Sequence, residues 1–237
     1  MPLMGRSGPF TDLTVIVPTL DEAGTIHEVV TDILKLCPGA EVIVADDDST
    51  DGTPDIVRSL GSTRKGVRLL SRGGKARGLT ASVLDALSLV GRPLVAVMDG
   101  DLQHPPETLP ELIRALEGAD IAVAVRAKVE GRWLLHRKAV SRAAHLLGRA
   151  RLTLAGKGCA DPLSGFFATR TEFMRRAVEK RHTSFVPQGY KVLFDLLKHA
   201  PRWTRVAEVP YTFNQRNRGE SKMGACHILA FARSLIT

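Results

Sequence analysis

The sequence has no uninterrupted run of ~18 apolar residues, so no segment is expected to span a bilayer, and its N-terminus has no apolar core of the signal-peptide kind. Cysteine is scarce. Cys37, Cys159 and Cys226 stand far apart, form no C-x-x-C pair and are odd in number, which argues against a zinc site or disulfide framework and suits a reducing cytosol. There is no internal repeat, no low-complexity tract and no break in composition that would mark a second independent domain. No G-K-[ST] occurs, so "SRGGKARGLTAS" falls short of a phosphate-binding Walker loop. Acidic residues are nearly missing from one region: between Arg126 and Arg151 eight cations face the single acid Glu130, which accounts for most of the net charge of +8. Such an excess attracts phosphate-bearing substrates, nucleic acid and anionic membranes alike.

What is present is an ordinary folded composition. The 237 residues, 44% hydrophobic and 24% charged, can bury a substantial core. Only residues 1–12, where Gly5, Arg6, Ser7, Gly8 and Pro9 follow no periodic pattern, are expected to be flexible. Thereafter short β-branched runs alternate with helical patterns. Strands are expected at 14–17, 41–45, 67–70, 94–98 and 121–125, and helices at 24–36, 52–60, 74–89 and 106–116. This alternation predicts an α/β, Rossmann-like, mostly parallel sheet flanked by crossover helices. Beyond Arg126, expected to close the fifth strand, come a basic helix, a loop over 156–164, further helices and a strand near 205–213.

Open parallel sheets bind ligands at the carboxyl ends of their strands. The stretches there, "PTLDE", "DDDSTDGT", "SRGGKARG" and "DGDLQH", are all polar. In "MDGDLQHPPE", Asp99 and Asp101 follow a buried strand two residues apart. Gly100 permits a sharp turn, and D-x-D spacing lets two carboxylates converge on one hard divalent cation, with Gln103 as a further oxygen donor. Mg2+ or Mn2+ there would bridge to phosphate oxygens and neutralise a departing diphosphate. A solvated Asp-Gly-Asp turn is the plainer alternative. In "DDDSTDGT", capping of the next helix accounts for Ser49 and Asp51 but not for the adjacent acids Asp46, Asp47 and Asp48. Asp46 could accept hydrogen bonds from a base or ribose. Lys75 is a secondary phosphate candidate, set against a flexible turn with a basic rim.

In the basic half, Arg137 and Ser141 lie four residues apart on one helix face, where with Arg126 they could hold a phosphate bidentately. The same helix carries Lys138, Arg142, His145 and Arg149 beside Val140, Ala143, Ala144 and Leu147. That pattern fits an anionic membrane surface as well as the solvated face of a core-packed helix. "FNQRNRGESK" gathers Arg216, Arg218 and Lys222 around Gly219 in a loop that could fold over a diphosphate or simply lie on the surface. His104 is expected to support the turn rather than do chemistry.

Taken in order, "PTLDE", "DDDSTDGT", "MDGDLQHPPE", R-x-x-x-S at 137–141, "DPLSGFF" at 161–167 and "EVPYTFNQRNRGESKM" at 208–223 resemble the dolichol-phosphate mannosyltransferase branch of family 2 glycosyltransferases. The resemblance runs from Thr14 to Met223. It implies a GT-A fold over 13–223 followed by a C-terminal amphipathic, membrane-facing helix over 224–237. It also implies inverting transfer of a sugar, mannose from GDP-mannose, onto a polyprenyl or dolichyl phosphate at the cytosolic membrane face, with Mg2+ or Mn2+. Residue by residue, it implies that Pro18, Leu20, Glu22, Val44 and Asp46 surround the nucleoside. Asp99, Asp101 and Gln103 would hold the metal, with Gly100 between them beside the donor. Lys191, Arg216 and Lys222 would meet the donor diphosphate or sugar, and Arg126, Arg137 and Ser141 the acceptor phosphate.

Leu20 and Asp21 stand where the family commonly has Tyr and Asn, and D-G-D replaces D-A-D, so the base is open between GDP and UDP sugars. Many relatives carry transmembrane helices after the catalytic domain, whereas this chain stops at "HILAFARSLIT"; it is expected to be cytoplasmic and peripheral on a membrane, as a soluble form, a shortened one, or one that depends on a membrane-anchoring partner subunit. A lipid phosphate arrives with roughly −1.5 to −2 charges, so it needs orientation and charge screening but no general base. Two alternatives stand beside this. One is a family 2 transferase acting on a hydroxyl, with Asp161 as base. The other is a catalytically silent basic binder, though the strand-end acids would repel a nucleic-acid backbone.

Overall fold

The computed structural model describes residues 10–129, 135–181, 185–186, 191–215 and 233–235, with 135–142 and 181 as backbone. Among them, β1 (Leu13–Thr19), β2 (Glu41–Asp46), β3 (Val67–Ser71), β4 (Leu94–Val97), β5 (Ile121–Val129), β6 (Phe167–Arg170) and β7 (Val206–Phe213) form one sheet in the order β3-β2-β1-β4-β6-β5-β7. The helices are α1 (Ile26–Leu36), α2 (Thr53–Thr63), α3 (Leu79–Leu89), α4 (Leu109–Ala115, entered through a 3-10 turn at Pro106–Thr108), α5 (Leu135–Leu154), α6 (Thr171–Arg181) and α7 (Val192–His199).

β1 is buried along its whole length because both faces are covered. Val15 and Val17 pack with Ile26, Val29 and Ile33 of α1 and Leu112 of α4. Ile16 turns the other way, with Val83 and Ala86 of α3 and Leu193 and Leu197 of α7. At roughly 1.5–3 kcal/mol per fully buried aliphatic side chain, these two layers hold the sheet and leave its ends available for polar groups. Pro18 has a specific place in this arrangement. Met98 N donates to Ile16 O at 3.2 Å, and the next β1 position on that side, Pro18, has no N–H to continue the ladder. The chain is thereby released from the sheet into Asp99.

The expectation of parallel strands holds for β1 with β2 and β4, for β2 with β3, and for β5 with β7. The sheet is mostly parallel as expected, and the unexpected element is β6, a four-residue strand in a stretch where loop and helix were expected. β6 runs antiparallel between β4 and β5, with Phe167 opposite both Val97 and Val123. The beginning of β6 therefore lies at the end of the sheet where β4 finishes, which brings "DPLSG" to the D-x-D turn.

Other boundaries also move. Arg126 does not close β5, which continues to Val129 with a register irregularity between Arg126 and Lys128. α3 starts at Leu79 rather than at 74, because Gly78 N is drawn to Asp47 Oδ2 at 2.7 Å. Order begins before residue 13: Phe10 N donates to Pro38 O at 2.6 Å and the Phe10 ring packs on the core. The C-terminal helix expected over 224–237 lies outside the described residues except for the helical turn at 233–235. Among the described residues no helix is long and apolar enough to cross a membrane.

Candidate active site

The loops that leave β1 and β2 are stitched together side by side. Asp21 N donates to Ser49 Oγ (2.7 Å), Glu22 N to Thr53 Oγ1 (2.9 Å), Ala23 N to Asp51 Oδ2 (2.8 Å) and Thr50 N to Asp21 Oδ1 (2.8 Å). Asp21 takes a left-handed backbone, with φ of 49°, a conformation Asp tolerates better than most residues. Asp51 also accepts from Thr53 N and Oγ1 and is lowered in pKa; burial opposes the shift, and the Thr53 and Ala23 hydrogen bonds outweigh it.

The three adjacent acids are explained one at a time. Asp46, buried at the end of β2, accepts from Thr19 Oγ1 (3.1 Å) and Ser49 Oγ (2.6 Å) on one oxygen and from Ser49 N (3.0 Å) on the other. Asp47 pairs with the buried guanidinium of Arg72, which also donates to Asp85 Oδ2 (3.0 Å), Ser82 Oγ (3.1 Å) and Ala76 O (3.1 Å). Asp48 faces Arg77, whose Nη2 donates to its carbonyl at 2.9 Å. The Gly loop after β3 therefore supplies buried Arg72 as a strut, a role its sequence did not signal. Lys75 is an exposed partner of Asp85 at 2.9 Å, which favours its plainer reading.

The D-x-D turn is held from four sides. Thr25 Oγ1 donates to Gly100 O (2.7 Å), and Gln103 N donates to Asp101 Oδ1 (3.0 Å). A Cβ on Gly100 would lie 3.1 Å from Thr19 Cγ2 and 3.3 Å from Val17 Cγ1, so D-G-D here matches a tight floor. Leu102 sits at φ 61°, an uncommon backbone for a non-Gly residue. Asn214, just past β7, clasps the turn: its N donates to Gln103 O (3.0 Å), its Nδ2 to Leu102 O (3.3 Å), and Gln103 Nε2 donates to its carbonyl (3.2 Å). His104 is 3% exposed, with Nε2 3.1 Å from Asp99 Oδ2 and Nδ1 2.9 Å from the Tyr211 hydroxyl. Phe166 and Phe213 meet its ring edge-on, with centroids 5.4 Å away in each case.

Facing this turn are the groups carried by β5 and "DPLSG". Arg126 forms a two-pronged pair with Asp161, Nε to Oδ2 at 2.6 Å and Nη2 to Oδ1 at 2.8 Å, and lies over the Phe213 ring. Burial alone would lower the Arg126 pKa and raise that of Asp161; their mutual hydrogen bonds reverse both, so arginine is raised and aspartate lowered. His145 Nδ1 stands 3.6 Å from Asp161 Oδ1. Lys191 donates from Nζ to Leu163 O at 2.6 Å, and burial, followed by the nearby Arg126 charge, brings its pKa down to about 8. Gly165 presses its backbone against Asp99, since a Cβ there would fall 2.9 Å from Oδ2.

A family model described as Glycosyl transferase family 2 matches residues 14–194. The chain belongs to that family. It is 36% identical to a dolichol-phosphate mannosyltransferase of Pyrococcus furiosus, over 94% of this chain and 62% of that protein, so it spans less than two thirds of that relative's length. It is 32% identical to a dolichol-phosphate mannosyltransferase of Saccharomyces cerevisiae, over 94% of this chain and 85% of the yeast protein. In three dimensions it is similar to glucosyl-3-phosphoglycerate synthase from Mycobacterium tuberculosis in complex with Mn2+, UDP-glucose and glycerol 3-phosphate. There the TM-score is 0.64 and the identity 25%, covering 94% of this chain and 77% of that one. A GT-A-like α/β fold is thereby established.

Within this family 2 chain the expected site residues divide. Leu20, Glu22, Asp46, Asp99, Gly100, Asp101 and Gln103 fall on the loops after β1, β2 and β4, and Arg126 and Lys191 join them. Val44 has its side chain wholly buried in the core, and the buried Pro18 ends a ladder. Arg137 and Ser141 share helix α5, with side chains outside the described residues, where Arg216, Arg218 and Lys222 also fall. Asp161, Gly165 and Tyr211 lie in stretches the sequence singles out, but their partners Arg126, Asp99 and His104 were not legible, because each is tens of residues away.

Proposed function

We propose that the chain transfers a hexose from a nucleotide sugar to a polyprenyl or dolichyl phosphate at a membrane surface, with inversion. Mannose is the sugar suggested by the names of its dolichol-phosphate mannosyltransferase relatives, and GDP-mannose is the proposed donor. The observation that carries this reading is the placement of Asp99, at the end of β4, within the electrostatic reach of both Arg126 and Lys191. Acids for a cation and cations for anions share one small region.

Asp99, Asp101 and Gln103 would hold Mg2+ or Mn2+. The fit rests on the donors: two carboxylates and an amide oxygen are hard ligands. Substrate phosphates would complete the shell, as Mg2+ prefers. Asn214 O takes the Nε2 of Gln103, which leaves Oε1 as that amide's donor toward a cation. Bound there, the ion neutralises charge on the departing diphosphate. The mycobacterial structure was obtained in complex with Mn2+ and UDP-glucose, which supports a divalent cation and a nucleotide sugar as ligands here.

Lys191 supplies a half-buried positive charge near the diphosphate. Asp161 fixes the plane of the Arg126 guanidinium, so that its Nη1 edge meets an incoming phosphate, with Arg137 and Ser141 on α5 completing that grip. The acceptor is already anionic, and orientation is what these residues contribute. Asp161 itself is a poor base, being doubly bonded to Arg126 and lowered in pKa, which weighs against a hydroxyl acceptor. The UDP-glucose in the solved relative keeps a UDP sugar as the second reading for the donor.

The membrane surface is supported by α5, which contains no acid and exposes Ala143, Leu146, Leu147, Ala150 and Leu154 along one face. Leu154 is 83% exposed and Leu146 66%, an arrangement suited to the interface of an anionic leaflet. Incubation with labelled GDP-mannose or UDP-glucose, Mn2+ and polyprenyl phosphate is expected to yield labelled lipid, and Asp101→Ala to abolish it. Absence of lipid product with either donor would overturn the proposal.

A further inference from the structure

We propose that Tyr211 and His104 are positioning residues that fix the Asp99 carboxylate for the cation, an inference resting on the donor-site reading above. Three observations carry it. First, the chain Tyr211 hydroxyl, His104 Nδ1, His104 Nε2, Asp99 Oδ2 is continuous, with links of 2.9 and 3.1 Å. Second, a carboxylate only accepts, so Nε2 bears the proton toward Asp99, and in the neutral imidazole Nδ1 then receives the one from Tyr211. Burial holds the Tyr211 hydroxyl protonated by raising its pKa, so it can serve as that donor. Third, the imidazole cannot swing away: it is walled by Phe166 and Phe213, and Gly165 closes the other side of Asp99.

The effect is to select one tautomer and one carboxylate rotamer. The Asp99 side chain is about one-third exposed, with Oδ1 buried, so the His104 contact acts on a half-buried carboxylate. Ordering it before the ion arrives removes rotamer entropy from the binding step. The hydrogen bond takes up Oδ2 in a fixed direction and so aims the carboxylate as a whole. Ligand carboxylates and imidazoles held this way by outer partners typically bind metal 10–100-fold more tightly than when the partner is removed. The device also couples the two halves of the site, because Tyr211 pairs in register with Arg126 across β5 and β7, and Phe213 bears the Arg126 guanidinium.

The test is calorimetric binding of GDP and of UDP, each with and without Mn2+, to the native protein and to Tyr211→Phe, His104→Leu and His104→Gln. Tyr211→Phe removes one oxygen and is expected to weaken Mn2+-supported nucleotide binding about 10-fold, with metal-free binding unchanged. His104→Leu should weaken it further, and His104→Gln, whose amide N–H can reach Asp99, should recover most of that loss. Long-range 1H–15N correlation of the imidazole should report the Nε2–H tautomer in the native protein and a mixture in Tyr211→Phe. Unchanged Mn2+ dependence in Tyr211→Phe, equal losses with and without Mn2+, or Gln no better than Leu at 104 would each overturn the inference. Native protein whose binding of both nucleotides ignores Mn2+ would instead remove the donor-site reading, and this inference with it.

Discussion

The guanidinium of Arg126 and the carboxylate of Asp161 meet edge to edge through two hydrogen bonds, with Asp161 3% exposed at its side chain and Arg126 20%. The pair ties β5 to the loop before β6 and, on the proposed reading, orders the acceptor side of the site. Replacing Asp161 by Asn leaves a largely buried cation uncompensated, with an expected loss of about 3 kcal/mol in urea unfolding. The pH dependence has a definite sign. The folded pKa of Asp161 lies below its unfolded value, so its contribution is present above the ordinary aspartate pKa of about 3.9 and is lost as pH falls through the folded value. Unfolding midpoints followed into acid should therefore decline in the native protein, and Asp161→Asn should lack that share of the decline.

Gly165 offers a geometric test of the D-x-D turn. A methyl group there falls within 2.9 Å of Asp99 Oδ2, so Gly165→Ala must displace the carboxylate. Mn2+-supported nucleotide binding is expected to fall about 10-fold, while thermal unfolding shifts little because the Asp99 side chain can swing toward solvent. A variant that binds Mn2+ and nucleotide like the native protein would remove Asp99 from the metal site.

Lys191 predicts an alkaline limb. With its pKa at about 8, the free protein loses this cation as pH rises through that value. A diphosphate favours the ammonium form, so binding above pH 8 requires proton uptake and weakens with rising pH. Nucleoside diphosphate affinity should fall on that limb, and Lys191→Arg, which stays charged, should flatten it. A limb that persists in Lys191→Arg would assign it to another group.

The apolar face of α5 predicts lipid binding. Leu147→Glu combined with Leu154→Glu places two acids on that face. At about 1.5 kcal/mol for each buried leucine, partitioning onto anionic vesicles should drop roughly 100-fold. Sedimentation with vesicles reads this directly, and equal sedimentation of native and variant protein would direct attention to another surface.

Much of this was legible from the chain alone, for reasons that differ by residue. β1 and β2 are covered on both faces, and such strands are written as continuous β-branched runs. Asp99 and Asp101 are legible because their spacing and their position after a buried strand are local facts. β6 was hidden because "FATR" is too short to carry a period, and its identity as a strand comes from its neighbours. The acids of "DDDSTDGT" read as a nucleotide site, yet Asp47 and Asp48 are met by Arg72 and Arg77, cations whose pairing only the folded chain reveals. Tyr211 and His104 are 107 residues apart in sequence, beyond the reach of any motif.

β7 follows in sequence every other strand of the sheet, yet it bears the hydroxyl that meets His104 and leads into the amide that clasps Gln103. A nascent polypeptide that has emerged only as far as Arg205 already owns both donor loops and both aspartates, without the parts that lock them. A chain ending there would hold the acidic turn without the hydroxyl and amide groups that fasten it.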